Sequence, residues 1–235
     1  NGNLIIEGRR ENFSNSSFTS GRIKTEGRVH FKYGTLEARI KIPNLANGLW
    51  PAFWTLGTIG GVWPNIGEID IMEMGSQSAR LAGLINKQVS AATHRSSNGG
   101  LSSMANQINS SVDLNGDYHI YKLVWNSSSI TMYLDGTSFF TMDISNPTSN
   151  SSEEFHNPHF ILLNMAIGGA YTGLLNASSI TATMPAQMMV DYVRLYQNNT
   201  DQLILGTQNS TSGNYGIYSE SAIVTDSLIF GTNAT

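Results

Sequence analysis

The chain has 235 residues, of which 13% are charged, with a formal net charge of −4 and no cysteine. The absence of cysteine excludes disulfides and thiolate metal sites. The low charge gives no indication of a nucleic-acid or anionic-membrane partner, and we expect neither. No run of eighteen apolar residues predicts a membrane-spanning helix. A monomer that acts on a neutral polar substrate fits this composition best.

Short segments rich in β-branched and aromatic residues follow one another along the chain, separated by glycine and polar turn residues. Strands are predicted at Leu4–Arg10, Arg22–Glu26, Val29–Tyr33, Thr35–Ile42, Leu84–His94, Tyr118–Asn126, Ile130–Asp135, Ser138–Ile144, Phe160–Ile167 and Met188–Tyr196. The second to fourth of these are expected to form a hairpin meander, and Asp135-Gly136 predicts a tight hairpin. Strands at this spacing, without a helical period, predict an all-β sandwich of two sheets.

An acidic motif lies inside an apolar, strand-like segment from Gly67 to Gly75, Gly-Glu-Ile-Asp-Ile-Met-Glu-Met-Gly. Because side chains alternate along a strand, Glu68 and Asp70 share one face. Glu73, five residues after Glu68, would point to the opposite, apolar face in a regular strand. A β-bulge at Ile71-Met72 is therefore predicted, because one extra residue returns Glu73 to the face of the other two carboxylates.

Three carboxylates on one strand face indicate an acid–base site, since like charges placed together are otherwise destabilising. Such crowding separates their pKa values, so that one carboxyl is ionised while another holds a proton near neutral pH. With the bulge, we estimate that the carboxyls of Glu68 and Glu73 approach to about 5 Å, the separation typical of a retaining glycosidase.

The motif Glu-Ile-Asp-Ile-Met-Glu resembles the signature of glycoside hydrolase family 16 in its bulged-strand form, which includes laminarinases, lichenases of mixed specificity, agarases and carrageenases. Segments 19–43, 48–57, 118–125, 160–169 and 190–196 resemble the laminarinase-like members. The resemblance covers about residues 1–197, which we interpret as a catalytic domain. It implies a β-sandwich jelly roll of two curved antiparallel sheets with a concave substrate cleft, in a secreted, extracellular enzyme.

The resemblance further implies retaining endo-hydrolysis of β-1,3-glucosidic bonds in laminarin-type β-glucans. Glu68 would be the nucleophile, Glu73 the acid and base, and Asp70 the partner of Glu68, with no cofactor for the chemistry. Hydrolysis of mixed-linkage β-glucan or of a red-algal galactan, and a non-catalytic glucan-binding module, are alternatives. The intact acidic triad argues against the binding module, and the few cationic residues near the cleft segments argue against a sulfated substrate.

Eight further residues are predicted to bind substrate, because aromatic rings suit the apolar faces of glucose and polar side chains bond its hydroxyls. They are Trp50, Trp54, Trp63, Trp125, Arg39, His94, Asn164 and Tyr171. Strand alternation places Phe53 in the core. For Arg39 the alternative is a surface cation, and for His94 a structural histidine. Tyr171 follows Gly168-Gly169, where laminarinase-like members usually have Asn-Trp, and is expected to replace that ring.

Both ends of the chain depart from the family pattern. From the resemblance we expect the family's N-terminal segment, with a strand and an acidic calcium ligand, to be missing, while Gly2 and Asp191 match the remaining ligands of a structural Ca²⁺. A calcium ion there is an expectation from the resemblance, although this hard cation prefers six or more oxygens. Residues 198–235 form a polar tail with apolar runs at Leu203–Leu205, Tyr215–Tyr218 and Leu228–Phe230. The tail is interpreted either as extra strands on the sandwich or as a linker to a further module.

Overall fold

The computed structural model describes residues 2–146 and 152–205, which are almost entirely β-strands and turns. The strands are β1 (Leu4–Gly8), β2 (Arg22–Lys24), β3 (Val29–Lys32), β4 (Gly34–Lys41), β5 (Leu49–Gly57), β6 (Glu68–Glu73), β7 (Gln88–Ser97), β8 (Gly100–Asn109), β9 (His119–Trp125), β10 (Ser129–Leu134), β11 (Thr137–Asp143), β12 (His159–Ile167), β13 (Ala186–Tyr196) and β14 (Gln202–Leu205). A short helix, α1 (Gln77–Leu81), follows β6, and 3-10 turns span Glu153–His156 and Ala177–Ser179. No helix among these residues has the length and apolarity needed to span a membrane.

The strands form two antiparallel sheets that enclose one apolar core. The six-stranded sheet has the order β1-β13-β4-β9-β10-β11. The eight-stranded sheet has the order β14-β3-β12-β5-β6-β7-β8, and β2 also pairs with β12. Alternate residues of both sheets, such as Leu36 and Ile40 on β4 and Phe53 on β5, are fully buried in this core. The predicted all-β sandwich is therefore confirmed.

The predicted strands are present to within a few residues, but the meander predicted for Arg22–Ile42 is wrong. Strands β2 and β3 pair with β12 in the eight-stranded sheet, whereas β4 pairs with β13 and β9 in the other sheet. Glycine at 27 and 34 indicates turns but carries no information about which sheet the next strand joins. The predicted hairpin is present between β10 and β11, where Asp135 and Gly136 both have positive φ, 47° and 84°, as a tight two-residue turn requires.

The edge of the eight-stranded sheet extends beyond the segment expected to form the catalytic domain. Strand β14 pairs with β3, with Leu203 opposite Phe31 and Ile204 opposite His30. The amide of Gln197 also donates to the carbonyls of Tyr33 and Gln202, at 2.9 and 3.0 Å. The apolar run at 203–205 thus packs on the sandwich, while the runs at 215–218 and 228–230 lie outside the described residues.

Candidate active site

Strand β6 carries the acidic motif and lies in the middle of the eight-stranded sheet, between β5 and β7. On β7, Glu68 lies opposite His94, Asp70 opposite Ala92 and Glu73 opposite Ser90. These three partners are alternate residues of one strand, so they share a face. The three carboxylates therefore share that face as well, although five residues separate the two glutamates. We call this the cleft face; the other face of the sheet is packed against the core.

The shared face results from the bulge predicted at Ile71-Met72. On the β5 side, Phe53 lies opposite Met72 and Trp54 opposite Asp70, so that Ile71 has no opposite residue. Ile71 and Met72 are both fully buried in the core. Consecutive side chains can point to the same side only where the strand contains an extra residue, which is what the bulge supplies.

Two glycines allow this strand to begin and end where it does. Gly67 has φ 76° and Gly75 has φ 93°, which are values that side chains with a Cβ rarely adopt. A Cβ on Gly75 would lie 2.1 Å from the backbone oxygen of Leu49, and one on Gly67 would lie 2.7 Å from Cβ of the buried Glu154. The motif therefore tolerates no larger residue at either end.

Glu68 and Asp70 form a compact cluster with His94. The three side chains each present an atom within 4.8 Å of the others, and Nε2 of His94 lies 3.1 Å from Oδ2 of Asp70. The carboxyls of Glu68 and Asp70 share a hydrogen bond. The indole N–H of Trp63 donates to Oε2 of Glu68 at 2.9 Å. Glu68 is thus held from two sides, by an indole and by a neighbouring carboxyl.

Glu73 has a different environment, built from aromatic side chains. The indole N–H of Trp50 donates to its Oε1 at 2.8 Å. Tyr171, in the loop after β12, stacks on Trp50 with the ring centroids 4.8 Å apart and an interplanar angle of 18°. The stacked pair fixes the orientation of the indole, and the indole in turn orients the carboxyl of Glu73.

Burial raises the pKa of all three carboxyls, and repulsion from a neighbouring carboxylate raises the pKa of Asp70 and of Glu73 further. Burial is the largest cause for Glu73, followed by the charge of Asp70, and raises its pKa to about 8 despite the hydrogen bond from Trp50. Burial and the charge of Glu68 raise the pKa of Asp70 well above its usual value. Burial also raises the pKa of Glu68, but His94, Trp63, Asp70 and Arg22 oppose this shift. Glu73 is therefore protonated near neutral pH, and Glu68 is the carboxyl of the three whose neighbours most favour the ionised form.

The cleft face continues across β5, β12 and β2. Trp54 donates its indole N–H to Oδ1 of Asn164 at 2.8 Å, and the guanidinium of Arg22 lies 5.3 Å from the Trp54 ring centroid. Arg22 pairs with Asn164 across β2 and β12. Trp63, at the other side of Glu68, is 48% exposed. These rings and polar groups line a surface suited to a carbohydrate, whose apolar faces stack on rings and whose hydroxyls need donors and acceptors.

The family model for glycosyl hydrolases family 16 matches residues 2–194. The chain belongs to this family. Its relatives include the clotting factor G alpha subunit of Tachypleus tridentatus, 35% identical over 216 residues, and glucan endo-1,3-beta-glucosidase A1 of Niallia circulans, 33% identical over 192 residues. These alignments cover 91% and 77% of this chain but only 30% and 27% of the relatives, so the chain spans less than a third of either protein.

Solved structures of family 16 members share the fold. A mixed-linkage-glucan family 16 protein of Bacteroides ovatus, in complex with a G4G4G3G product, is 38% identical, with a TM-score of 0.75 over 82% of this chain and 80% of its own. The two antiparallel sheets described above are accordingly the jelly roll of family 16, as the resemblance implied.

Two residues predicted to bind substrate lie away from the cleft face. Trp125 is 1% exposed; its ring packs against Phe31 and His159, and its indole N–H donates to the carbonyl of Phe155 at 3.0 Å. Its place in the sugar-binding set was wrong, because the side chain points into the core and no substrate can reach it.

Arg39 was also wrongly placed in the cleft. It lies on β4 in the six-stranded sheet, where its neighbours Ala38 and Ile40 point into the core, so Arg39 faces the opposite surface of the sandwich. Its guanidinium donates to Oδ2 of Asp191 at 2.8 Å and lies 4.5 Å from the ring centroid of Tyr118. The alternative interpretation, a surface cation, is the one that fits.

The Arg39–Asp191 pair also bears on the expected calcium ion. Asp191 already balances its charge with a guanidinium, so a cation at this carboxylate would have to displace Arg39. In the part of the chain that the structure describes, the only group of three clustered acidic or histidine side chains is the one at Glu68. Side-chain carboxylates alone therefore do not supply, at Gly2 and Asp191, the six or more oxygens that this hard cation prefers.

Two residues that contact the site were not found from the sequence. Arg22 lies in a predicted strand, but its place beside Trp54 depends on pairing with β12, more than a hundred residues away. Ser103, whose Oγ lies 2.6 Å from Nδ1 of His94, is on β8. That strand is exposed at most positions and lacks apolar alternation, so the period-2 signal that predicts strands was absent.

Proposed function

We propose that this family 16 domain hydrolyses internal β-1,3-glucosidic bonds of laminarin-type glucans with retention of anomeric configuration. The observation that carries the proposal is the bulge in β6, which brings Glu68 to the same face as Glu73, whose pKa is raised to about 8. A nucleophile and an acid on the same face are what double displacement at an anomeric carbon requires.

In the first step, Glu73 gives its proton to the glycosidic oxygen as the C–O bond breaks, and a carboxylate oxygen of Glu68 bonds to the anomeric carbon. The leaving part of the glucan departs with the proton from Glu73. In the second step, ionised Glu73 takes a proton from water, whose oxygen attacks the same carbon and releases Glu68. Both carboxyls return to their initial states, and the reaction requires no cofactor.

Asp70 has a supporting role in this scheme. Its raised pKa keeps a proton between it and Glu68, and this hydrogen bond stabilises the carboxylate that attacks and later leaves. Trp63 supplies a second donor to Glu68. Trp54, Trp63, Asn164 and Tyr171 are proposed to contact sugar rings on the cleft face, with His94 beside the reacting groups.

The linkage is proposed from the relatives and the composition of the cleft. The Niallia circulans relative is named as a glucan endo-1,3-beta-glucosidase, which supports β-1,3 bonds. Mixed-linkage β-glucan is the second candidate, because the Bacteroides ovatus structure contains a product of such a glucan. Since a polysaccharide of this size does not cross a membrane, we propose that the protein acts outside the cell, as a monomer.

The test is to incubate the protein with laminarin, curdlan, lichenan, agarose and carrageenan, and to size the products and assign their anomers by proton NMR before mutarotation. We expect oligosaccharides of mixed length from laminarin, carrying the β anomer. The matched control is Glu68→Gln, which keeps the shape of the side chain but removes the nucleophile. If the unmodified protein binds glucan without cleaving it, the chain is a glucan-binding module. If it cleaves lichenan faster than laminarin, its substrate is mixed-linkage glucan. If the first product carries the α anomer, double displacement is excluded.

A further inference from the structure

Ser103 lies at the edge of the eight-stranded sheet and reaches the reacting groups only through His94. The two residues lie opposite each other in the β7–β8 ladder, and Oγ of Ser103 lies 2.6 Å from Nδ1 of the imidazole. The other ring nitrogen, Nε2, lies 3.1 Å from Oδ2 of Asp70. One imidazole therefore connects an edge-strand hydroxyl with the carboxyl that bonds the nucleophile.

The tautomer of His94 decides which ring nitrogen donates a hydrogen bond and which one accepts. A neutral imidazole carries its proton on one nitrogen and a lone pair on the other. If Nδ1 accepts a hydrogen bond from the hydroxyl of Ser103, the single ring proton is on Nε2 and faces Oδ2 of Asp70. In the other tautomer the lone pair of Nε2 would face the lone pairs on Oδ2 of Asp70, and the two would repel each other. The repulsion would be relieved only if the carboxyl proton of Asp70 were on Oδ2, directed to His94 instead of to Glu68.

We propose that Ser103 is a positioning residue that holds His94 as the Nε2–H tautomer, because its hydroxyl donates a hydrogen bond to Nδ1. His94 then presents its N–H to Oδ2 of Asp70, and the proton of Asp70 remains on the side of Glu68. This proposal rests on the proposed function, because it assigns Ser103 to the support of the nucleophile. The contact of 3.1 Å places Nε2 beside Oδ2 of Asp70, a buried oxygen that has no hydrogen bond in the described structure, so an N–H on Nε2 would supply the donor that this oxygen lacks.

The other groups that face His94 are consistent with this arrangement. The ring of Trp63 lies 6.0 Å from the imidazole, centroid to centroid, and its indole N–H is directed to Glu68 instead of to the histidine. The charged or titratable groups of the described residues that interact with His94 are on β6: Glu68 and Asp70 lie against it, and Glu73 lies further along the strand. The hydroxyl of Ser103 is thus the hydrogen-bond partner of Nδ1, and its loss would leave that nitrogen to water.

The tautomer can be read directly by NMR, independently of activity. The measurement uses ¹⁵N-labelled full chain, in which the ring nitrogens of His94 are assigned by comparison with His94→Asn. At neutral pH we expect Nε2 to be protonated and Nδ1 to carry the lone pair. Ser103→Ala should convert this pattern to a mixture of tautomers, and Ser103→Thr, which keeps the hydroxyl, should restore it.

The kinetic arm uses the same variants on laminarin. Ser103→Ala should lower kcat about tenfold, the effect of one lost hydrogen bond, with KM nearly unchanged, and Ser103→Thr should recover most of the loss. Ser102→Ala is the matched control, because Ser102 is the adjacent residue of β8 and lies opposite Arg95 instead of His94. We expect no change in either measurement for this variant.

The two arms separate the possible failures. An unchanged tautomer in Ser103→Ala overturns the proposal whatever the activity, and a changed tautomer with unchanged kcat overturns the positioning role. If the unmodified chain cleaves no glucan, the proposed function fails, while the NMR arm still decides whether Ser103 sets the tautomer.

Discussion

The indole N–H of Trp50 donates a hydrogen bond to Oε1 of Glu73 at 2.8 Å. This contact opposes the burial that raises the pKa of the same carboxyl to about 8. The hydrogen bond from Trp50 thus limits how far the pKa of Glu73 rises above its ordinary value. The stacked Tyr171 holds the indole in place. Glu73 is therefore still protonated at neutral pH, as the proposed acid must be, and it can still ionise as the second step of the proposed mechanism requires.

The pH profile of hydrolysis should reflect this balance. Because Glu73 must be protonated to act as an acid, kcat/KM on laminarin should fall as the pH rises through about 8. Replacing Trp50 by Phe removes the hydrogen bond that lowers this pKa, so the basic limb should move to higher pH. Trp54→Phe is the matched control, since that indole bonds Asn164 and not Glu73. A basic limb that moves to lower pH in Trp50→Phe would contradict this account.

External azide should distinguish the two glutamates. With an activated aryl glycoside, which needs no acid, Glu73→Ala should form the glycosyl-enzyme, and azide should attack it to give the β-glycosyl azide. In Glu68→Ala, azide would replace the missing nucleophile and give the α-glycosyl azide. Each substitution should lower the unassisted rate on laminarin by about 10²-fold or more. The reverse assignment of products, read by proton NMR, would require the roles to be exchanged.

Trp125 and Trp63 should give opposite results when each is replaced by Ala. Trp125 is buried in the core and bonds the carbonyl of Phe155, so its loss should destabilise the fold by about 3–5 kcal/mol. Trp63 is half-exposed beside Glu68, so its loss should weaken binding of laminarin oligosaccharides while leaving the melting temperature nearly unchanged. Calorimetric melting and titration check both. Normal stability in Trp125→Ala would contradict its place in the core.

Removal of β14 should destabilise the eight-stranded sheet. A chain that ends at Asn198 removes the partner of β3 on one side along Val29–Lys32, so that β3, still paired with β12, becomes an exposed edge strand. We expect a lower melting temperature and greater aggregation. The matched control is a chain that ends at Leu205, which retains the whole of β14. Equal melting curves for the chain ending at Asn198 and the full chain would show that this strand adds no stability.

Calcium should have no effect on stability. The carboxylate of Asp191 is paired with Arg39, so neither Ca²⁺ nor a chelator should shift the melting temperature of the protein. Loss of the half-exposed ion pair in Asp191→Asn should cost no more than about 1 kcal/mol. A melting temperature that rises with Ca²⁺ in the unmodified chain, and not in Asp191→Asn, would instead place a calcium ion at this carboxylate.

The parts of the fold that depend on local pattern were predictable from the sequence. Alternation of apolar residues located the strands, the mismatch between Glu68 and Glu73 located the bulge, and Asp135-Gly136 located a hairpin. Strand pairing was less accessible, because the partner of β2 is β12 and nothing near Arg22 specifies it. Trp125 shows the same dependence on strand pairing. An aromatic ring in a strand suits a sugar-binding cleft and a core equally well, and the sequence does not say which face of the sheet Trp125 occupies.

The bulge at Ile71 and Met72 has a consequence for how such sites evolve. Loss of one codon at this position would convert Glu-Ile-Asp-Ile-Met-Glu into a regular strand in which the second glutamate is four residues after the first. Four is an even number, so all three carboxylates would still point to the same face. A shared face for the three carboxylates is therefore compatible with two backbone forms that differ by a single residue, so that loss of that residue would not turn the second glutamate away from the other two carboxylates.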